Sequence, residues 1–159
     1  MILAIDPGNI ESAYCIIEKE TYKPVEFGKI DNYDLLRLIS NDELGYYDFL
    51  AIEMVASYGM SVGQTVFETC VWIGRFIEAC CCDWDYIYRK EEKINLCNSM
   101  RAKDSNIRQA LIDRFGEVGT KNNPGWFYGF KKDIWSAYAV GITYLDKRKE
   151  EKQIWEEKN

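Results

Sequence analysis

The chain has no histidine among its 159 residues, and that absence removes most of the familiar hydrolytic machinery. A Ser-His or Cys-His nucleophile pair needs an imidazole to take the proton, so both are excluded, as is any histidine general base. The six cysteines, at 15, 70, 80, 81, 82 and 97, do not make up the loss. They show no C-x-x-C spacing, and three adjacent cysteines cannot all ligate one metal in the usual geometry, so reduced, mostly buried thiols are expected rather than a zinc site or disulfides. Long apolar runs are missing too: the longest candidate, residues 69–82, is broken by Arg75 and Glu78 and falls short of a membrane span. The start of the chain lacks the basic flank and cleavage site of a secretory signal. A soluble, intracellular protein without membrane contact is expected, and its chemistry must use carboxylates, lysines or a metal.

What is present fits one compact domain with a sizeable core, since 47% of the side chains are apolar and 29% charged. The net charge of -6 argues against a nucleic-acid partner until its distribution is read. Residues 1–83 carry five basic and fourteen acidic groups, whereas residues 84–132 carry ten basic and six acidic ones. A basic middle third on an acidic chain is a candidate phosphate-binding face, with an acidic remainder able to attract divalent cations; ordinary solvated charge is the plain alternative.

Apolar periodicity predicts strands over residues 2–5, 12–18, 24–30, 47–54 and 84–88. Helices are predicted from a cap at Asp31 to residue 39, over 63–81, over 90–97, along Ile107, Ala110, Leu111 and Phe115 to a stop at Gly116, and from near Asp133 onward. Residues 1–146 form the domain, and 147–159 a charged tail that frays or continues as a solvated helix. Three strands followed by alternating helices and strands predict an α/β sheet with a hairpin front and right-handed crossovers behind.

Two acids interrupt apolar strands, Asp6 in MILAID and Glu53 in FLAIEM. An unpaired buried carboxylate is costly, so each needs a reason. If the first strand lies beside the fourth, the two acids become neighbours, and the start of the last helix brings Asp133 toward them. Three carboxylates held together repel one another, and their natural occupant is a hard divalent cation with oxygen ligands. A pair of such ions about 4 Å apart can align a water and a leaving oxygen for phosphodiester hydrolysis.

The segments AIDPGNIESAY, FLAIEM and KKDIWSAYAVG resemble the three acidic motifs of the RuvC-type Holliday-junction resolvases, within the RNase H-like nuclease superfamily. VGQTVFETCVWIGRF and RAKDSNIRQALIDRFG resemble bacteriophage members of that group. The resemblance covers most of residues 2–145. It implies an RNase H-like fold, a central mixed five-stranded sheet flanked by helices. It further implies a homodimer that cuts four-way DNA junctions with Mg2+, two ions per site and Mn2+ as a substitute, in the cytoplasm of a phage-infected bacterial cell. Asp6, Glu53 and Asp133 take the metal-binding, catalytic roles. One departure stands out: where cellular resolvases usually carry a further acid one helical turn on, this chain has Ser136. Its hydroxyl, a doubly used Asp133, or Asp104 are the alternatives for the vacancy; Asp104 also reads as a helix cap, and Ser136 as a packing residue.

Arg89, Lys90, Lys93, Arg101 and Lys103, with Lys131 and Lys132 beside the last acid, are the candidate phosphate contacts. Tyr58, in the loop after Glu53, is a candidate to stack on an unpaired base, as are Trp126, Phe127 and Tyr128; packing on their own domain is the rival reading. In the helix at 63–81, Val62, Val66, Cys70, Ile73 and Ile77 are expected to face the sheet, leaving Phe67, Val71 and Trp72 as a surplus apolar face suited to a two-fold contact. Rival functions are a flap-, branch- or RNA-processing nuclease on the same fold, or a junction-binding protein with little catalysis. An actin-like ATPase is excluded because 159 residues cannot build its two lobes.

Overall fold

The computed structural model describes residues 1–158, in the order β1 (Ile2–Asp6), β2 (Glu11–Ile17), β3 (Pro24–Asp31), α1 (Asn32–Ser40), β4 (Phe49–Met54), α2 (Gln64–Ala79), β5 (Asp83–Tyr88), α3 (Arg89–Cys97), α4 (Asp104–Phe115) and α5 (Ile134–Lys158). The strands form one sheet in the order β3-β2-β1-β4-β5. Short turns join β1, β2 and β3, which therefore pair antiparallel. The helical crossovers let β4 and β5 run parallel to β1. This is the predicted mixed five-stranded α/β sheet, with helices on both faces.

Strand alternation divides the core in two. Ile2, Ala4, Cys15, Ile17, Ala51 and Ile87 pack with Phe127, Trp135, Tyr138 and the rest of α5 on one face. Leu3, Ile5, Ile16, Leu50 and Ile52 pack with α1 and α2, through Leu35, Trp72, Ile73 and Phe76, on the other. β1 is thus apolar on both sides until its last residue, which is why its sequence reads as a continuous run rather than an alternation. Fully burying each of its large aliphatic side chains is worth about 1.5–3 kcal/mol. Asp31 caps α1 as predicted, its Oδ1 accepting from the Tyr33 amide at 2.8 Å.

Several expectations need correction. Trp72 belongs to the core rather than to a surplus face: it is buried against Phe76 and meets Tyr33 edge-on. The inward stripe of α2 is Trp72, Ile73 and Phe76, while Val66, Cys70 and Ile77 are only half-buried. Phe127 is fully buried, and Trp126 stacks on Phe115 and donates its indole N–H to the Tyr138 hydroxyl at 3.1 Å, so these two aromatics cover the core; Tyr128 stays exposed. All six cysteines are free thiols as expected, but only Cys15 and Cys80 are buried. Lys103, not Asp104, is the N-cap of α4. Residues 147–158 continue α5 as exposed helix; Asn159 lies outside the described residues.

α5 approaches the sheet most tightly at Gly141. A Cβ there would lie 2.3 Å from Ile17 Cδ1 and 2.9 Å from the Ala4 Cβ. The missing side chain lets the helix rest on β1 and β2 and so fixes the height of its first turn above the sheet. Gly141→Val should therefore destabilise the fold by about 1–3 kcal/mol through overpacking, measured as a lower midpoint in chemical denaturation. An unchanged midpoint would show that α5 can lift without cost.

Candidate active site

The sheet register assembles a row of side chains. β1–β2 pairing sets Asp6 opposite Ala13, and β2–β3 pairing sets Ala13 opposite Lys29. On the other side Ile5 pairs with Ile52, which brings Asp6 level with Glu53, itself opposite Ile87. Asp6 shares the parity of Ile2 and Ala4, and Glu53 that of Ala51, so both carboxylates point to the face covered by α5. The turn after Asp6 is pinned from below. Buried Ser12 accepts the Gly8 amide at 3.1 Å and donates to Asn32 Oδ1 at 2.6 Å, and Asn32 Nδ2 donates to the Gly8 carbonyl at 2.9 Å. A Cβ at Gly8 would lie 2.3 Å from the Glu11 carbonyl oxygen, so the turn closes only around glycine.

Asp6 and Glu53 share a hydrogen bond. Burial pushes the Asp6 carboxyl up to about 8, with the charges of Glu53 and Asp133 adding to the rise. Burial also raises Glu53, against the pull of the Arg89 guanidinium. Near neutral pH the pair therefore holds a proton that a bound cation would displace.

Asp133 stands immediately before α5, and its carbonyl accepts the Ala137 amide at 2.9 Å. Its carboxylate acts on Asp6 through space but pairs with Lys29 Nζ at 2.7 Å. Lys29 also lies 3.7 Å from Glu11. Asp6, Pro7, Gly8, Lys29 and Asp133 line a cleft of about 420 Å³. A neighbouring cleft of about 400 Å³ is lined by Arg89, Asp104, Arg108, Lys132, Asp133 and Ser136. Asp133 is the wall between the two, and Ser136 opens onto the second.

Arg89, the first residue of α3, lies inward rather than on the surface, with its side chain 25% exposed. One end of its guanidinium donates to Glu92 Oε2 at 2.6 Å and the other to Asp104 Oδ1. Burial opposes its charge, but Glu92, Asp104 and Glu53 together raise its pKa. Glu92 is fully buried, and its Oε1 has no hydrogen-bond partner. Burial first, then the charge of Glu53, raises its carboxyl pKa, while the Arg89 guanidinium bonded to it favours the charged form.

Sequence reasoning missed Lys29 and Glu92. Lys29 was detectable in principle, because the register aligns it with Asp6 once β2 and β3 are paired. Glu92, inside RKEEKINLC, looks like one more solvated charge of a polar helix and carries no local signal. The proposed phosphate contacts scatter around the site. Lys131 and Lys132 are exposed beside Asp133, Arg101 and Lys103 are exposed just before α4, Lys93 is half-buried, and Lys90 lines a separate groove with Glu91, Asn95 and Lys147. Tyr58 is 63% exposed in the loop after β4, with a left-handed backbone (φ 47°) followed by Gly59 (φ 81°).

The donor set suits a hard cation, for it offers only oxygen atoms on adjacent, half-buried carboxylates. Among the described residues no three acidic or cysteine side chains stand close enough, as placed, to enclose an ion. Asp6 and Glu53 would hold it, and Asp133 would join on exchanging Lys29 for the ion. The raised Asp6 pKa has a consequence for the cation-free protein. This carboxyl ionises near 3.8 in the unfolded chain and near 8 in the folded one. The folded state therefore binds the extra proton between those values, and this contribution to stability is lost as pH rises toward 8. In chelator, the denaturation midpoint should be lower at pH 8.5 than at pH 6, and Asp6→Asn should flatten that fall; an unaltered slope would remove Asp6 as its source.

No protein-family model and no curated protein sequence matches the chain. Solved structures do. RuvC of Thermus thermophilus superposes with a TM-score of 0.66 at 12% identity, over 92% of this chain and 95% of that one. T. thermophilus RuvC in complex with Holliday junction substrate gives 0.67 at 11% identity, over 89% and 90%. The Fowlpox virus resolvase in complex with substrate Holliday junction DNA gives 0.54 at 16% identity, over 92% and 99%. The sheet order and flanking helices described above are therefore those of the RuvC-type, RNase H-like fold.

Proposed function

We propose that this protein is a cation-dependent, structure-selective endodeoxyribonuclease that resolves four-way DNA junctions by phosphodiester hydrolysis. The observation that carries the reading is the side-by-side placement of the half-buried Asp6 and Glu53 carboxylates at the ends of the two central strands, at the foot of the helix that Asp133 precedes. Such a pair is unfavourable in an unliganded core and becomes favourable once a divalent cation is bound. Magnesium, held by Asp6, Glu53 and Asp133, would supply charge neutralisation and an activated water. The chain's own residues do the rest. Lys131 and Lys132 meet phosphates at the rim, as do Arg101 and Lys103 farther along, and Tyr58 offers an exposed ring for an unpaired base at the junction centre.

The Holliday junctions bound by the structural neighbours support the choice of DNA. A two-fold junction calls for two sites, and we assign the dimer contact to the outer face of α2. There Phe67 and Val71 are 63% and 62% exposed, and Ile10 and Tyr33 are exposed nearby. Ser136 in place of an acid, and the Lys29 pairing of Asp133, favour a second reading: a junction-binding protein with little cleavage.

Labelled four-way junction, flap, bubble and linear duplex, each with and without magnesium, separate the readings. Magnesium-dependent cutting of the four-way junction is expected, whereas binding without cutting would establish the second reading. Asp6→Asn, Glu53→Gln and Asp133→Asn should each lower the cleavage rate by on the order of 10²–10³ while junction binding stays intact or tightens. Full activity in any one of them would remove that residue from the site. Sedimentation should show a dimer at micromolar concentration that Phe67→Glu converts to monomer; a dimeric Phe67→Glu would place the contact elsewhere.

A further inference from the structure

Glu92 has no role in the reading above, yet its position is hard to explain by packing. It sits on α3 with no solvent exposure, one oxygen bonded to Arg89 and the other unpartnered. A buried carboxylate of this kind costs several kcal/mol relative to an apolar side chain of similar size, unless something in the structure needs its charge. Arg89 supplies that need. Its guanidinium is bonded to Glu92 and Asp104, and it acts through space on Glu53 and Asp6.

We propose that Glu92 is a positioning residue for the cation site. It anchors the Arg89 guanidinium against α3, so that this buried positive charge steadies Glu53 and Asp6 without closing an ion pair with them. The inference rests on the reading of Asp6 and Glu53 as cation ligands. Arg89 is the one guanidinium that acts on both acids, and without an anchor it would bond directly to the nearest carboxylate. Asp104 is a poor anchor, because its side chain is 85% exposed and water competes for it. Glu53 is the buried alternative, and an Arg89–Glu53 pair would occupy the oxygens that a cation requires. Glu92 therefore holds an internal cation aside from the place meant for an external one.

The test is a double-mutant cycle read by manganese(II) binding, followed by electron paramagnetic resonance and independent of cleavage. Glu92→Gln keeps the shape and removes the charge. It should weaken manganese binding roughly tenfold, the low end of what the loss of a partner behind metal ligands costs. In an Arg89→Gln background the same substitution should change the affinity less than about twofold, because there is no guanidinium left to restrain. Equal weakening in both backgrounds would overturn the proposal and make Glu92 a ligand or a through-space charge in its own right. No weakening in the wild-type background would overturn it in favour of packing. Glu92→Met, which fills the space and cannot hold Arg89, repeats the measurement if Glu92→Gln does not fold, and thermal melts of every variant identify such a case. Wild-type protein that binds no manganese would overturn the cation site itself. Wild-type binding that Glu92→Gln and Glu92→Met leave unchanged would overturn only the role of Glu92.

Discussion

Burying like charges together is the constraint on which the rest of this structure turns. Asp6, Glu53 and Glu92 are set into or against the sheet, Glu92 fully buried and the other two half-buried, with the Arg89 guanidinium bonded to Glu92 in return. The molecule meets the cost in two ways. A proton is retained at Asp6 far above the usual carboxylate range, and the surrounding backbone is held stiff by close packing and side-chain cross-links. The Gly8 turn, cross-linked to Ser12 and Asn32, and the close seat of α5 at Gly141 both serve that stiffness. A site held at such expense by the native fold would be stabilised further by a bound cation, which would couple ligand binding to folding through the same few carboxylates.

Much of this was legible in the sequence because it follows from local pattern. The apolar runs interrupted by Asp6 and Glu53 located two central strands, and the order of elements then made the strands neighbours, as the pairing of Ile5 with Ile52 shows. Asp31 was readable as a cap because its side chain bonds two residues along the chain. What was not legible depends on contacts between distant segments. Trp72 was assigned outward because the helical stripe through Val66, Cys70 and Ile73 looked sufficient; Tyr33 and Phe76 draw it inward, and Phe67 and Val71 are left outside. Arg89 was read as a phosphate contact because it opens a run of charged residues, yet its partners lie three and fifteen residues away, on its own helix and on α4. Glu92 has the composition of a solvated helix face and the environment of a core.

The two faces of the sheet are used differently. The α5 face carries the acids and the aromatic cover formed by Trp126 and Phe127, whereas the α1 and α2 face carries none of the site residues and ends in exposed Phe67 and Val71. The exposed apolar patch of α2 therefore lies across the sheet from the clefts around Asp133. Acidic and basic side chains adjoin around the site, Asp133 beside Lys131 and Lys132, although the chain as a whole is acidic.

The row from Lys29 through Ala13 to Asp6 and Glu53 also acts as a ruler. Neighbouring strands lie about 4.8 Å apart, so Lys29 is rooted roughly 10 Å from Asp6 and roughly 15 Å from Glu53. From that distance its ammonium reaches Asp133, just before α5, but has to stretch across Ala13 to approach the strand pair. Ala13 is the rung that decides how easily this happens. As a small side chain it leaves an open channel between the lysine and the acids, and a larger residue there would partition one electrostatic compartment into two. The spacing of a backbone ladder, rather than the chemistry of any one side chain, thereby sets how far the ammonium of Lys29 can reach toward the carboxylate oxygens of the strand pair.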